Sequence, residues 1–193
     1  DVKILAFNTM TLLLKLNIDR VYEQQNAGRI VSDLADSAKV NTDQISDGIQ
    51  FPYYAVDGNK NGYEHILQLA EKCGFDVYMT SKDKLVFKKY EASEPHVFEY
   101  ATDIIAAKRF EQYPVFQAVR VTGESPSSSK GADTYHWLTK TPPGANVQRA
   151  DIEGAELLIE DSSLKTTDTA SKVANAKLDK LKKTVLVMLH VVG

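Results

Sequence analysis

Residues 61 to 87 read NGYEHILQLAEKCGFDVYMTSKDKLVF. Asn61 with Glu64 three positions on is a capping-box start for a helix. Tyr63, Ile66, Leu67, Ala70 and Cys73 recur at helical spacing and form its expected buried stripe. His65 falls on the expected solvated side. Gly74 is the left-handed stop. The period then changes to two: Phe75, Val77 and Met79 alternate with Asp76 and Tyr78, and Leu85 and Phe87 alternate with Val86 and Lys88. Thr80 to Asp83 is the turn between them. A helix running straight into a hairpin makes this stretch α+β. On this stripe, Leu67→Ala is expected to cost about 2 to 5 kcal/mol, and Lys180→Ala, on a polar face, almost nothing.

Upstream, FPYYAV at Phe51 to Val56 reads as a strand, with Pro52 favouring an edge or strand start. Residues 41 to 48 (NTDQISDG) read as turns. Asn26 to Ala38 reads as a helix capped by Asn26, with Ile30, Val31, Leu34, Ala35 and Ala38 on one stripe. Val2 to Ala6 and Thr11 to Ile18 (TLLLKLNI) read as strands, Leu12, Leu14 and Leu16 sharing one face.

Downstream, Glu91 to Pro95 is a polar linker. His96 to Tyr100, Ala107 to Tyr113, Val115 to Gly123, Tyr135 to Lys140 and Ala155 to Ile159 read as strands, with Ser125 to Asp133 a loop. Thr167 to Lys183 is a helix with Ala170, Val173, Ala174, Leu178 and Leu181 on its inner face. Its C-terminal lysines suit the helix dipole. Val185 to Val192 is a last strand, with His190 turned outward. The fold class is therefore α+β. A helix–strand–helix–hairpin block at 26–90 follows strands of a first barrel at 1–25. A β-rich, barrel-like antiparallel part at 91–193 carries the helix 167–183.

The chain has 193 residues, 43% hydrophobic and 25% charged, and a formal net charge of -3. That charge gives no overall basic field for a nucleic-acid backbone. One cysteine excludes an internal disulfide framework. No apolar run approaches the roughly 20 residues a membrane helix needs. The chain opens at Asp1 and closes directly after an apolar run, so it reads as a piece of a longer protein.

Local chemistry is absent throughout. Cys73 and His65 are separated by about 12 Å of helix rise, too far for a nucleophile–base pair. The four histidines (65, 96, 136 and 190) offer no zinc spacing. Phosphate loops and the serine elbow are missing. Carboxylate pairs such as Asp33 with Asp36 lie on polar faces without apolar surroundings. The lysines between 172 and 183 lack interleaved aromatics. Expected cofactors, metals and catalytic residues are none. Tyr53, Tyr54, Tyr63, Phe75, Tyr78 and Phe87 could form a sugar platform or pack as core and subunit interface.

From Arg20 to Tyr90 the residues VYEQQNAGRIVSDLADSAKV, ISDGIQFPYYAVDG and GYEHILQLAEKCGFDVYMTSKDKLVFKKY resemble the late control protein D family of contractile-tailed phages. These are baseplate hub proteins related to the hub portion of type VI secretion spike proteins. The helix ending Leu69-Ala70-Glu71-x-Cys73-Gly74-Phe75-Asp76-Val77-Tyr78 and its hairpin carry the likeness, with the helix Ile30 to Ala38 ahead of the Phe51 strand. Beyond Glu91 it is looser.

The resemblance implies two tube-type barrels joined by an α/β insert, assembled as a trimer that adapts a sixfold tail tube to a threefold spike. It implies a virion tail location, assembly in the bacterial host cytoplasm, tube and spike partners, and no enzyme activity, nucleic acid or membrane. This chain departs from the pattern by stopping where the second barrel would still add strands. Leu12, Leu14, Leu16, Tyr53, Tyr54, Val187 and Leu189 are the expected partner contacts. Two other readings stay open: a cell-wall or carbohydrate-binding module of a phage or prophage tail protein, and a cryptic hydrolase. LysM-type wall-binding units are shorter and lack this hairpin.

Overall fold

The helix Gly62–Cys73 and the hairpin after it form where the sequence implies. The computed structural model describes residues 7–91, 96–100, 102–111, 116–124, 144–148, 155–182 and 185–191. In chain order these hold α1 (Met10–Leu13), β1 (Arg20–Asn26), α2 (Ala27–Ser37), β2 (Thr42–Ile45), β3 (Gln50–Val56), α3 (Gly62–Cys73), β4 (Asp76–Met79) and β5 (Leu85–Lys88). Then follow β6 (Ile104–Glu111), β7 (Phe116–Gly123), β8 (Gly144–Gln148), β9 (Ala155–Asp161), α4 (Thr167–Leu181) and β10 (Val185–Val191). The class is α+β. Among the described residues the sheets are open, and none closes into a barrel. The expected strands at Val2 to Ala6 and Tyr135 to Lys140, and the loop 125–133, lie outside the described residues.

Helix α3 starts on a reciprocal cap. Asn61 Oδ1 accepts from Glu64 N at 3.0 Å, and Glu64 Oε2 accepts from Asn61 N at 2.9 Å. It stops at Gly74, whose φ of 68° lies in the left-handed region that glycine enters without strain. Its buried face is rotated from the expected one. Gly62, His65, Ile66, Leu69 and Ala70 are buried, while Leu67 is 38% exposed. His65 is buried rather than solvated, its Nε2 3.0 Å from the Asp57 carbonyl. The truncation cost therefore moves. Leu69→Ala is expected to lose about 2 to 5 kcal/mol and Leu67→Ala less than about 1 kcal/mol, measured as urea midpoints of the two variants.

TLLLKLNI is not a strand. Asn8 turns the chain instead: its carbonyl accepts from Thr11 N at 3.2 Å and its Oδ1 from Met10 N at 3.2 Å. Leucine is a strong helix former, so its alternation there was compatible with a turn of helix. Leu13, not Leu12 or Leu14, is the fully buried side chain. Leu16 packs half-buried against the core, and its carbonyl accepts from Gly62 N at 2.8 Å.

Two strands arise where the sequence reading had none. β1 pairs antiparallel with β3, with Gln24 at φ 51° displaced from the ladder. It includes residues assigned above to a first barrel. β2 runs through the turn-rich stretch 41–48 and pairs parallel with β5. Pro52 sits, as expected, in an edge strand, since β3 has β1 as its one neighbour among the described residues. α2 packs on α3 and on these sheets through Ile30, Val31, Leu34 and Ala35.

The C-terminal part is a mixed sheet, not a purely antiparallel one. In the order β8-β7-β9, β7 runs antiparallel to β8 and parallel to β9. Val119 and Val121 of β7, with Ala145 and Val147 of β8, lie on the side of the sheet covered by α4, which buries Ala170, Val173, Ala174 and Leu178 as expected. α4 is capped by Thr166, one residue before the expected Thr167. His96 to Glu99 forms no strand; the Glu99 carbonyl instead collects the amides of Asp103 and Ile104 in a turn. β6 pairs antiparallel with β10 as a separate two-stranded ribbon.

Candidate assembly surface

In the β6–β10 ribbon β10 is apolar on both faces and bare, while β6 mixes Ile105 and Phe110 with the exposed Lys108, Arg109 and Glu111. Register pairs Leu186 with Phe110 and Met188 with Lys108 on one face, and Val187 with Arg109 and Leu189 with Ala107 on the other. Val185 to Leu189 are 42–60% exposed, and Phe110 and Ile105 are exposed with them. His190 is exposed, but so are its neighbours on both faces. A two-stranded ribbon is marginal in water on its own. Contiguous exposed apolar surface of this kind is uncommon on a soluble monomer. Within the described residues each strand has one unpaired edge, the template for adding a further strand.

The other expected contact residues are scattered. Leu12 and Leu14 are exposed near α1. Leu16 is half-buried. Tyr53 is exposed on β3, but Tyr54 is 4% exposed, its ring 5.2 Å from that of Phe51. Burial and nearby carboxylates push the Tyr54 hydroxyl pKa upward. Phe75 and Phe87 stack edge-on at 5.2 Å. The aromatic cluster is thus largely core, leaving Tyr53 and Tyr78 outward on separate sheets.

Cys73 lies beside the start of β3, where the Ile49 amide donates to its Sγ at 3.4 Å. Burial pushes its thiol up to about 11. Its native reaction with a disulfide reagent at pH 8 is therefore expected to run at least about tenfold slower than in urea; equal rates would show an open thiol. Among the described residues no group of three or more His, Cys, Asp or Glu side chains is placed to hold a metal ion. No described helix is long and apolar enough to cross a membrane.

The cluster that sequence reading missed is built on Lys72. Its Nζ lies 2.5 Å from Asp161 Oδ2 and donates to Ser163 Oγ at 2.6 Å. It also stands 5.5 Å from the Tyr54 ring centre and 5.9 Å from that of Phe51. Burial pushes the Asp161 carboxyl up, but the Lys72 ammonium and the Ser163 hydroxyl and amide outweigh it and hold it below its ordinary value. No local pattern announces a pair so distant in sequence.

The fold is shared with phage tail proteins. The 43 kDa tail protein of prophage MuSo2 from Shewanella oneidensis superposes with a TM-score of 0.68 at 17% identity, over 96% of this chain and 56% of that one. A tail protein from Neisseria meningitidis MC58 gives 0.67 at 10% identity, over 95% and 56%. This chain therefore spans little more than half the length of either. No protein-family model and no curated protein matches it.

Proposed function

We propose that the chain is a structural part of a phage tail or phage-like contractile injection apparatus, at the baseplate hub that joins the tail tube to the spike. The observation that carries this reading is the strand β10 of the β6–β10 ribbon, apolar on both faces and uncovered, in a chain whose fold is shared with tail proteins. On this reading residues 26–90 are the α/β insert and residues 91–193 the barrel-type part. The ribbon, with Val187 and Leu189 on one face and Leu186 on the other, docks against copies of the chain in a trimer. Leu12, Leu14 and Tyr53 are secondary contacts with tube or spike neighbours. The protein then belongs in the virion tail, assembles in the host cytoplasm and transforms nothing chemically. A carbohydrate platform is less well served, because Tyr54, Phe75 and Phe87 are committed to packing.

Light scattering of the full-length protein tests the proposal. A trimer that retains tube or spike proteins through purification is expected. A monomer that holds no tail component, or a protein that turns over glycan or peptide, would overturn it.

A further inference from the structure

We propose that Lys72 is the latch of a joint between two bodies of the fold, fixing the angle between them. One body comprises α1, β1 to β5, α2 and α3; the other comprises β7 to β9 and α4. The main contact of elements across the seam is α3 against α4. On one side the seam opens into a groove of about 1160 Å³ bordered by Leu67, Cys73, Phe75, Tyr90 and Ala176. On the other it opens into a cleft of about 360 Å³ bordered by Gln68, Asp161, Val173 and Lys177. Between the two clefts the buried side chains of both bodies join in one apolar core, a non-directional contact that by itself fixes no single register.

Lys72 adds the directional contact that the apolar filling lacks. Its side chain leaves α3, passes the Phe51 and Tyr54 rings and ends on Asp161 and Ser163 of the second body. The receiving turn is preformed: Ser163 N and Ser163 Oγ donate to Asp161 Oδ1 at 2.9 and 2.7 Å. Both charged side chains are largely buried, at 14% and 21% exposure. Apolar surfaces tolerate sliding, whereas a desolvated, hydrogen-bonded ion pair is satisfied in one register. A second ion pair across the seam, Lys180 with Glu71 at 3.6 Å, is exposed and too weak for this role. This inference rests on the seam alone and stands whether or not the assembly reading holds.

Hydrogen exchange on the full-length protein tests it. In Lys72→Met, amides of Ser163 to Ala170 and of the C-terminal half of α3 are expected to exchange at least about tenfold faster through local opening, while β5 keeps its protection. Lys72→Gln, which retains a donor for Ser163, gives the same readout if the first variant folds poorly. Lys180→Ala should leave exchange unchanged. Adding Asp161→Asn to Lys72→Met should bring no further acceleration, since the pair is already broken. Uniform acceleration across both bodies, unchanged exchange at the seam, or additive effects of the two substitutions would overturn the latch.

Discussion

Gly123→Ala is expected to destabilise the chain by about 3 kcal/mol or more, the upper range for forced overpacking. Gly123 ends β7 against the connection from β9 to α4. A Cβ there would lie 2.0 Å from the Leu164 carbonyl oxygen and 2.9 Å from its carbonyl carbon. Both are backbone atoms and cannot swing aside. Leu164 is fully buried, and its amide donates to Asp161 O at 3.1 Å, so the connection is held from behind. Relief requires parting the two segments. That breaks the bond from Glu124 N to Leu164 O and strains the Lys165–Glu124 ion pair beside it. It also opens the end of the core above Val121. The measurement is a urea titration, where a loss of this size moves the midpoint by about 1.5 M at a slope near 2 kcal/mol/M. Gly58→Ala is the control. Its added Cβ would meet the flexible Asp19 carboxylate at 3.3 Å. Equal midpoints for the two variants would mean that β7 and Leu164 are not in this contact.

The ends of elements were more legible than their faces. Asn61, Glu64 and Gly74 act on backbone groups within one turn, so their chemistry is local and readable. The face of α3 was decided elsewhere. Ile66, Leu67, Leu69 and Ala70 offer two overlapping apolar stripes, and a one-residue shift rotates the buried side by about 100°. Gly62, lying against Leu13 and Leu16, brings the N-terminal turn onto α3 and selects Leu69 over Leu67. That choice also buries His65. β1 and β2 escaped notice because they are polar edge strands whose pairing is supplied by distant partners. The ribbon was half legible. Val185 to Val191 carries apolar residues on both faces, which set it apart from a one-sided strand, but nothing local identified β6 as its partner. The Lys72–Asp161 pair left no trace in the sequence for the same reason.

Leu186→Lys combined with Val187→Lys is expected to abolish association while leaving the fold intact. The two side chains lie on opposite faces of the ribbon, so the pair disables both. Each is more than half exposed in the isolated chain. Surface changes of this kind shift stability by no more than about 0.5 kcal/mol each. In an assembly the balance reverses. Covering the exposed halves of Phe110, Val185, Leu186, Val187, Met188 and Leu189 contributes about 1 kcal/mol apiece. The sum, about 6 kcal/mol, is a factor of about 10⁴ in the association constant. Two lysines remove a third of that, and each must also lose its hydration on docking. In a symmetric assembly they recur in every copy, so the losses multiply around the ring. Sedimentation of the full-length variant should therefore show monomer at concentrations where the parent is assembled, with an unchanged urea midpoint. Leu67→Lys, an exposed apolar position away from the ribbon, should leave assembly alone. If the ribbon variant still assembles with parental affinity, copies of the chain meet through some other surface. If it unfolds instead, the ribbon belongs to the core of the isolated chain and its exposure is not the basis of docking.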